Sequence, residues 1–235
     1  MNKNDNTISN LKLLKLGVKA AKHTASFVVK NALKTYRNNR IKEIAKDIST
    51  ASTDIGTVIR VNNVVGIITF VKINELTIIS PFISKFTWWR RYVSQGEMKW
   101  GSIYPNDSIG DFTHAIDMEN GQANHDKIIT IYEHSIDHDD HPAFDHCRCV
   151  GEGWYLPAVN ELLNFFCSSS FPQVFEALRG NGFPLDISAA YWTSTEYNNE
   201  SAYAVQVSDK GEIKCVQCKK DEEHYTIPFY KYPKA

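Results

Sequence analysis

Long apolar runs are missing from this sequence. Lys12, Lys15, Lys19 and Lys22 interrupt every apolar stretch near the N-terminus. A secretory leader needs roughly 7–15 unbroken apolar residues, and a membrane span needs ~18–20. Neither a signal peptide nor a transmembrane segment is expected, which points to the cytoplasm or to an assembled phage-like particle. Cysteine is scarce and odd in number: Cys147, Cys149, Cys167, Cys215 and Cys218. Without a leader, five cysteines are expected to be reduced thiols rather than a disulfide frame. Twelve Gly and eight Pro are too few for collagen-like or low-complexity architecture. Signatures of known chemistry are absent as well: there is no P-loop, GxGxxG, GxSxG or HExxH. The Glu-Pro-Asn and Trp-Asn-Asp triplets of calcium-dependent sugar binding are also missing. No cofactor, no enzyme activity and no calcium-lectin role are expected.

What is present can build a core. Hydrophobic residues make up 43% and aromatics 12% of 235 residues, which excludes wholesale disorder. The net charge of −1 hides an asymmetry. Residues 1–50 hold eleven Lys/Arg against three Asp/Glu, and the remainder fifteen against twenty-four. A basic arm on an acidic body suggests two parts with different partners. The acidic body argues against specific nucleic-acid binding, and the arm's lysines are interleaved with apolar residues rather than stacking aromatics.

Within the arm, Leu11, Leu14, Val18, Ala21, Ala25, Val28 and Ala32 recur at 3/4 spacing, predicting an amphipathic helix over 8–37. Such a helix suits self-association as a coiled coil, an anionic surface, docking on other subunits, or packing on its own domain. Periodicity does not separate these. After a linker over 49–56, β-rich runs at Thr57–Val61 and Val65–Val71 flank a hairpin turn at Asn62-Asn63, and Leu76–Ser80 is a third run. Helical pieces are expected over 123–134 and 142–149. A clear helix is expected from Pro157 to Phe166, with Pro157 at its start and Val159, Leu162, Leu163 and Phe166 on one face. A further helix is expected over Phe171–Leu178. Strands are expected at Tyr191–Thr195, Ala202–Val207, Glu212–Gln217 and Tyr225–Tyr230, with a turn at Asp209-Lys210-Gly211. Strands, then helices, then strands predict an α+β domain over 54–235. Trp154, Leu156, Leu162, Trp192 and Val205 are the expected shared core.

Two clusters invite a metal. Residues 133–147 crowd together Glu133, His134, Asp137, His138, Asp139, Asp140, His141, Asp145, His146 and Cys147. His134 and His138 would share a helix face, but Pro142 and the acidic run favour a solvated loop. Cys147-Arg148-Cys149 and Cys215-Val216-Gln217-Cys218 fall short of two zinc knuckles, and in a strand Cys215 and Cys218 point to opposite faces. No metal is expected.

Six motifs stand in order: VVGIITFV (64–71), Trp88-Trp89, GQANHDKI (121–128), HPAFDHC (141–147), GWYLPAVNEL (153–162) with YWTSTEY (191–197), and YTIPFYKY (225–232). Over roughly residues 54–235 the chain resembles the C-type-lectin-like domain at the C-terminus of the Legionella collagen-like adhesin and the Fibrobacter major paralogous domains. Two features depart from that pattern: Ile227 and Tyr230 replace the usual arginines of the closing strand, and the His/Asp-rich stretch is atypical. The resemblance implies a C-type-lectin-like fold preceded by the arm. Trp154, Leu156, Pro157, Glu161, Leu162 and Trp192 would be its structural motif, with Glu161 capping or pairing near a helix start. Thr193, Ser194 and Thr195 would satisfy backbone groups in a bent strand.

Similar domains serve as adhesins, phage receptor-binding proteins and diversified retroelement targets. The resemblance therefore implies a non-enzymatic binding module with a protein or glycan ligand. The displayed residues would be Tyr197, Asn198, Asn199, Glu200 and Tyr203. The two asparagines are expected to tolerate alanine within about 0.5 kcal/mol, as surface positions do. The alternatives are a structural subunit of a phage or injection particle, with the arm docking on other subunits, and, less favoured by the cysteine positions, an enzyme on the same scaffold.

Overall fold

A computed structural model describes residues 45–48, 51–81, 98–101, 113–132, 141–183, 185–208 and 210–234. All lie in the second of the chain's two units, Ala45–Ala235. The arm helix over 8–37, Trp88-Trp89 and the 133–140 part of the His/Asp-rich stretch fall outside the described residues.

The body is α+β. A five-stranded sheet has the order β1-β2-β3-β4-β10, from β1 (Lys46–Asp47), β2 (Val58–Val61), β3 (Val64–Val71), β4 (Glu75–Ile79) and β10 (Phe229–Pro233). Its pairs are antiparallel except β1 with β2. Residues 45–48 lie within the segment read as an arm, yet Lys46 and Asp47 pair with Ile59 and Arg60 and Ile48 packs on the sheet's core. The second sheet is the antiparallel meander β6 (Ala190–Glu196), β7 (Ser201–Val207) and β8 (Ile213–Lys219). A short pair joins β5 (Met98–Lys99) to β9 (Glu223–His224). Four described helices lie between the strand groups: α1 (Gly121–Tyr132), α2 (Pro142–Val150), α3 (Val159–Cys167) and α4 (Phe171–Gly180). None of them is long and apolar enough to cross a membrane.

Local chemistry explains these elements. Asn62 and Asn63 both hold positive φ, 48° and 65°, the conformation a two-residue hairpin turn requires and asparagine tolerates. Val, Ile and Thr fill β3, whose centre is buried. Within it, a Cβ on Gly66 would stand 2.3 Å from Ile78 Cγ2 and 3.2 Å from the Trp154 ring, so glycine lets that ring lie on the sheet. Asn120 accepts the Ala123 N–H at the start of α1. The next residue is glycine because a Cβ there would meet the Ala158 nitrogen at 2.4 Å.

Among the described residues, two apolar clusters contribute to the core. Ile59, Val61, Ile68, Leu76 and Ile78 gather around Trp154. Trp100, Ile128, Phe144, Leu156 and Trp192 form the other, with Ala202 and Ala204. Trp154, Leu156, Leu162, Trp192 and Val205 are all buried, but Trp154 belongs to the sheet cluster while Leu156 and Trp192 belong to the other. Burying each such side chain stabilises by about 1.5–3 kcal/mol.

Two expectations need correction. The helix expected from Pro157 begins at Val159 with Ala158 at its cap, and Pro157 lies outside it. The Pro157 carbonyl accepts the Ser194 N–H at 2.7 Å instead, tying the helix entry to β6. The strand expected over Tyr225–Tyr230 is broken: β9 ends at His224, and β10 takes up only Phe229 and Tyr230 of that stretch. Pro228 has no N–H to give a ladder, so residues 225–228 cross between sheets, with a Tyr191–Tyr225 bridge on one side and a Tyr155–Phe229 bridge on the other.

Candidate functional site

The connection between β6 and β7 runs from Tyr197 to Glu200, all of it exposed. Its shape comes from its own hydrogen bonds. Asn198 Oδ1 accepts the N–H groups of Glu200 at 3.0 Å and Ser201 at 2.8 Å. The N–H groups of Tyr197 and Asn198 both reach the Ser201 carbonyl. Asn198 is therefore the turn's clasp, as asparagine commonly is, although it is exposed. This corrects the expectation of tolerance at both asparagines. Asn198→Ala should cost about 1 kcal/mol, the worth of a typical hydrogen bond, whereas Asn199→Ala should stay within ~0.5. Urea unfolding of the two variants checks the difference.

Two tyrosines flank this turn. Tyr197 is 45% exposed, and Tyr203 on β7 is half-buried. Their rings meet edge to face with centroids 5.4 Å apart, a favoured aromatic geometry. Partial burial pushes the Tyr203 hydroxyl above its ordinary value, with Cys215 and Tyr197 adding to the effect and a hydrogen bond to Gln217 opposing it. Gln217 lies directly opposite Tyr203 on β8. It was not among the sequence candidates, although the alternating pattern of β8 marks it as outward-facing.

Beneath the turn sits a buried ion pair. Lys220 Nζ donates to Glu196 Oε1 at 2.5 Å, and both side chains are fully buried. Thr113 donates to the other Glu196 oxygen at 3.0 Å, and the ammonium lies 4.9 Å from the Trp100 ring centre. The backbone closes the arrangement. Lys220 N–H reaches the Glu200 carbonyl inside the turn at 2.9 Å, Trp100 N–H reaches the Lys220 carbonyl at 3.0 Å, and Glu196 N–H reaches the Ala115 carbonyl at 2.8 Å. One charge pair thus joins the displayed turn, the end of β8 and the segments around Trp100 and Ala115.

The bend in β6 carries polar side chains as the sequence suggested. Thr193 donates to the Tyr203 carbonyl at 2.8 Å, and Thr195 donates to the Asp117 carbonyl at 2.9 Å. Ser194 accepts from Asn124 at 3.2 Å. The β6–β7 register shifts between Trp192 and Glu196. Glu161 accepts from the N–H groups of Ala158 and Gly121 and from the Tyr155 hydroxyl, each at 3.0 Å, and pairs with Lys231 at 2.6 Å. That cluster lies on an open groove of about 460 Å³ that also includes Phe70, Lys72 and Asn164. With Glu161 and Lys231 bonded to each other there, the groove wall is neutralised.

Of the remaining sequence candidates, those from Glu133 to Asp140 lie outside the described residues. His141 and His146 are buried, while Asp145 pairs with Arg148 on the same helix. Burial first, and then Lys220, lowers His141 to about 3. Burial first, and then Arg148, lowers His125 to about 4. Neutral His125 accepts the Leu156 N–H at Nδ1. Because the unfolded chain takes up these protons near the ordinary histidine value, the two side chains lose stability for the fold as pH falls from about 6.5 towards 4. Cys147 is buried and Cys149 exposed. Cys218 packs towards the Trp192 cluster, and Cys215 stands opposite Val205 on the other face.

No protein-family model matches the chain. No curated protein matches it either. Among solved structures, a fimbrial protein from Bacteroides ovatus is similar at 19% identity and a TM-score of 0.48, over 66% of this chain and 35% of that chain.

Proposed function

We propose that the body is a non-enzymatic recognition module with a C-type-lectin-like domain, binding a protein or glycan through the β6–β7 turn. The observation that carries this reading is the exposed Tyr197 ring, set edge-on to Tyr203 above a turn clasped by Asn198 and bonded to Lys220. Tyrosines supply rigid contact area at low entropic cost, and exposed Asn199 and Glu200 supply adaptable hydrogen bonds beside them. A shape held before binding reduces the ordering cost of association. The six motifs in order along 54–235 support the domain assignment, and Tyr230 in place of a usual arginine leaves the closing strand out of the proposed face. Tyr197→Ala with Tyr203→Ala should reduce partner capture by the full chain at least ~10-fold, on the scale of interface hot spots, while melting shifts only slightly. A stable double variant with undiminished capture removes this face.

A further inference from the structure

Beyond that reading, Cys218, Glu222 and His224 converge at the end of the second sheet. The Cys218 Sγ, one Glu222 oxygen and one His224 nitrogen lie within 4.8 Å of one another. Their placement follows from three separate elements. Cys218 is held on β8 opposite Ala202. The chain then turns back, with the Glu222 N–H on the Lys219 carbonyl at 3.0 Å. His224 on β9 is held by pairing with Met98, and its ring lies 4.6 Å from that of Trp192.

We propose that these three side chains bind one zinc ion. The His224 Nε2 to Glu222 Oε2 distance is 3.4 Å. Two atoms each about 2.0–2.2 Å from a tetrahedral zinc stand about 3.3–3.5 Å apart, so these two already have the separation of ligands sharing a metal. A thiolate and an imidazole select zinc over calcium or magnesium, which prefer all-oxygen shells. The Glu222 side chain is 48% exposed, leaving it room to swing towards the metal and leaving a fourth position open to solvent. Cys215 belongs to the opposite strand face and takes no part. The ion would clamp β8 to β9 across the 219–222 turn. The spacing Cys-x3-Glu-x-His contains no paired-knuckle signature, so the sequence alone points to no metal.

The test uses the full reduced chain with zinc alone. Competition with a chromogenic chelator should show one zinc per chain, and cobalt should give the intense visible bands of a tetrahedral site together with a thiolate-to-cobalt charge-transfer band. Cys218→Ser should abolish the charge-transfer band, His224→Ala should weaken zinc binding at least ~10-fold, and Cys215→Ser should bind as the parent does. Alkylation followed by mass spectrometry guards against misfolding of the variants. In the unmutated chain zinc should slow labelling of Cys218 and leave the exposed Cys149 and Cys167 unchanged. Unprotected Cys218, an oxygen-type cobalt spectrum, parent-like affinity in His224→Ala, or loss of binding in Cys215→Ser would each overturn the site.

Discussion

Lys220→Met is expected to destabilise the body by about 3–5 kcal/mol, the cost of leaving one member of a buried ion pair without its partner. Glu196 would remain fully buried, keeping only the Thr113 hydroxyl and losing its counter-charge. For a body of this size that corresponds to a drop on the order of 10 °C in melting temperature. Adding Glu196→Gln to Lys220→Met should recover much of the loss, because a neutral amide carries no buried charge. The effect should reach the displayed turn as well. Lys220 holds the Glu200 carbonyl through its own N–H, and movement at 220 loosens the base on which Tyr197 and Tyr203 stand. A single-variant loss below ~1 kcal/mol would mean that water relieves the charge and that the pair is not the turn's foundation.

Leu162→Ala is the second large expected loss, about 2–5 kcal/mol, from deleted apolar contact plus the cavity left behind. Leu162 is fully buried on α3, beside Val159, Phe165 and Phe166. The following residue, Leu163, is only half-buried, and alanine there should cost clearly less. Asn164 is exposed, and Asn164→Ala should stay within about 0.5 kcal/mol. Denaturant unfolding of the three variants therefore reads the orientation of the helix directly. Equal losses at 162 and 163 would contradict the packing described.

Local chemistry was legible in the sequence. The Asn62-Asn63 turn needs positive φ, and asparagine declares it. The alternation of β7 and β8 is visible in residues 201–207 and 213–219, and Thr193, Ser194 and Thr195 announce a strand whose side chains bond to backbone. Long-range charge was not legible. Lys220 and Glu196 look like ordinary surface residues, since each lies beside other polar side chains in the sequence, and only the fold shows that both are fully buried. Proline suits the start of a helix, whereas the bond of the Pro157 carbonyl to Ser194 belongs to tertiary structure. Tyr225–Tyr230 read as one strand because its apolar residues alternate, whereas Pro228 and the bridges to both sheets divide it. Asn198 is exposed, but nothing in the sequence shows that its side chain accepts two N–H groups of its own turn.

The proposed recognition face is tested most directly by placing a photocrosslinking residue at Asn199, which is exposed and makes no clasp, and, in a second protein, at Glu176 on α4, also exposed. Each full-length protein is irradiated with the partner that the unmutated chain captures. The account predicts adducts from position 199 that Tyr197→Ala with Tyr203→Ala abolishes, and none from 176. Adducts from 176 with none from 199 would contradict it.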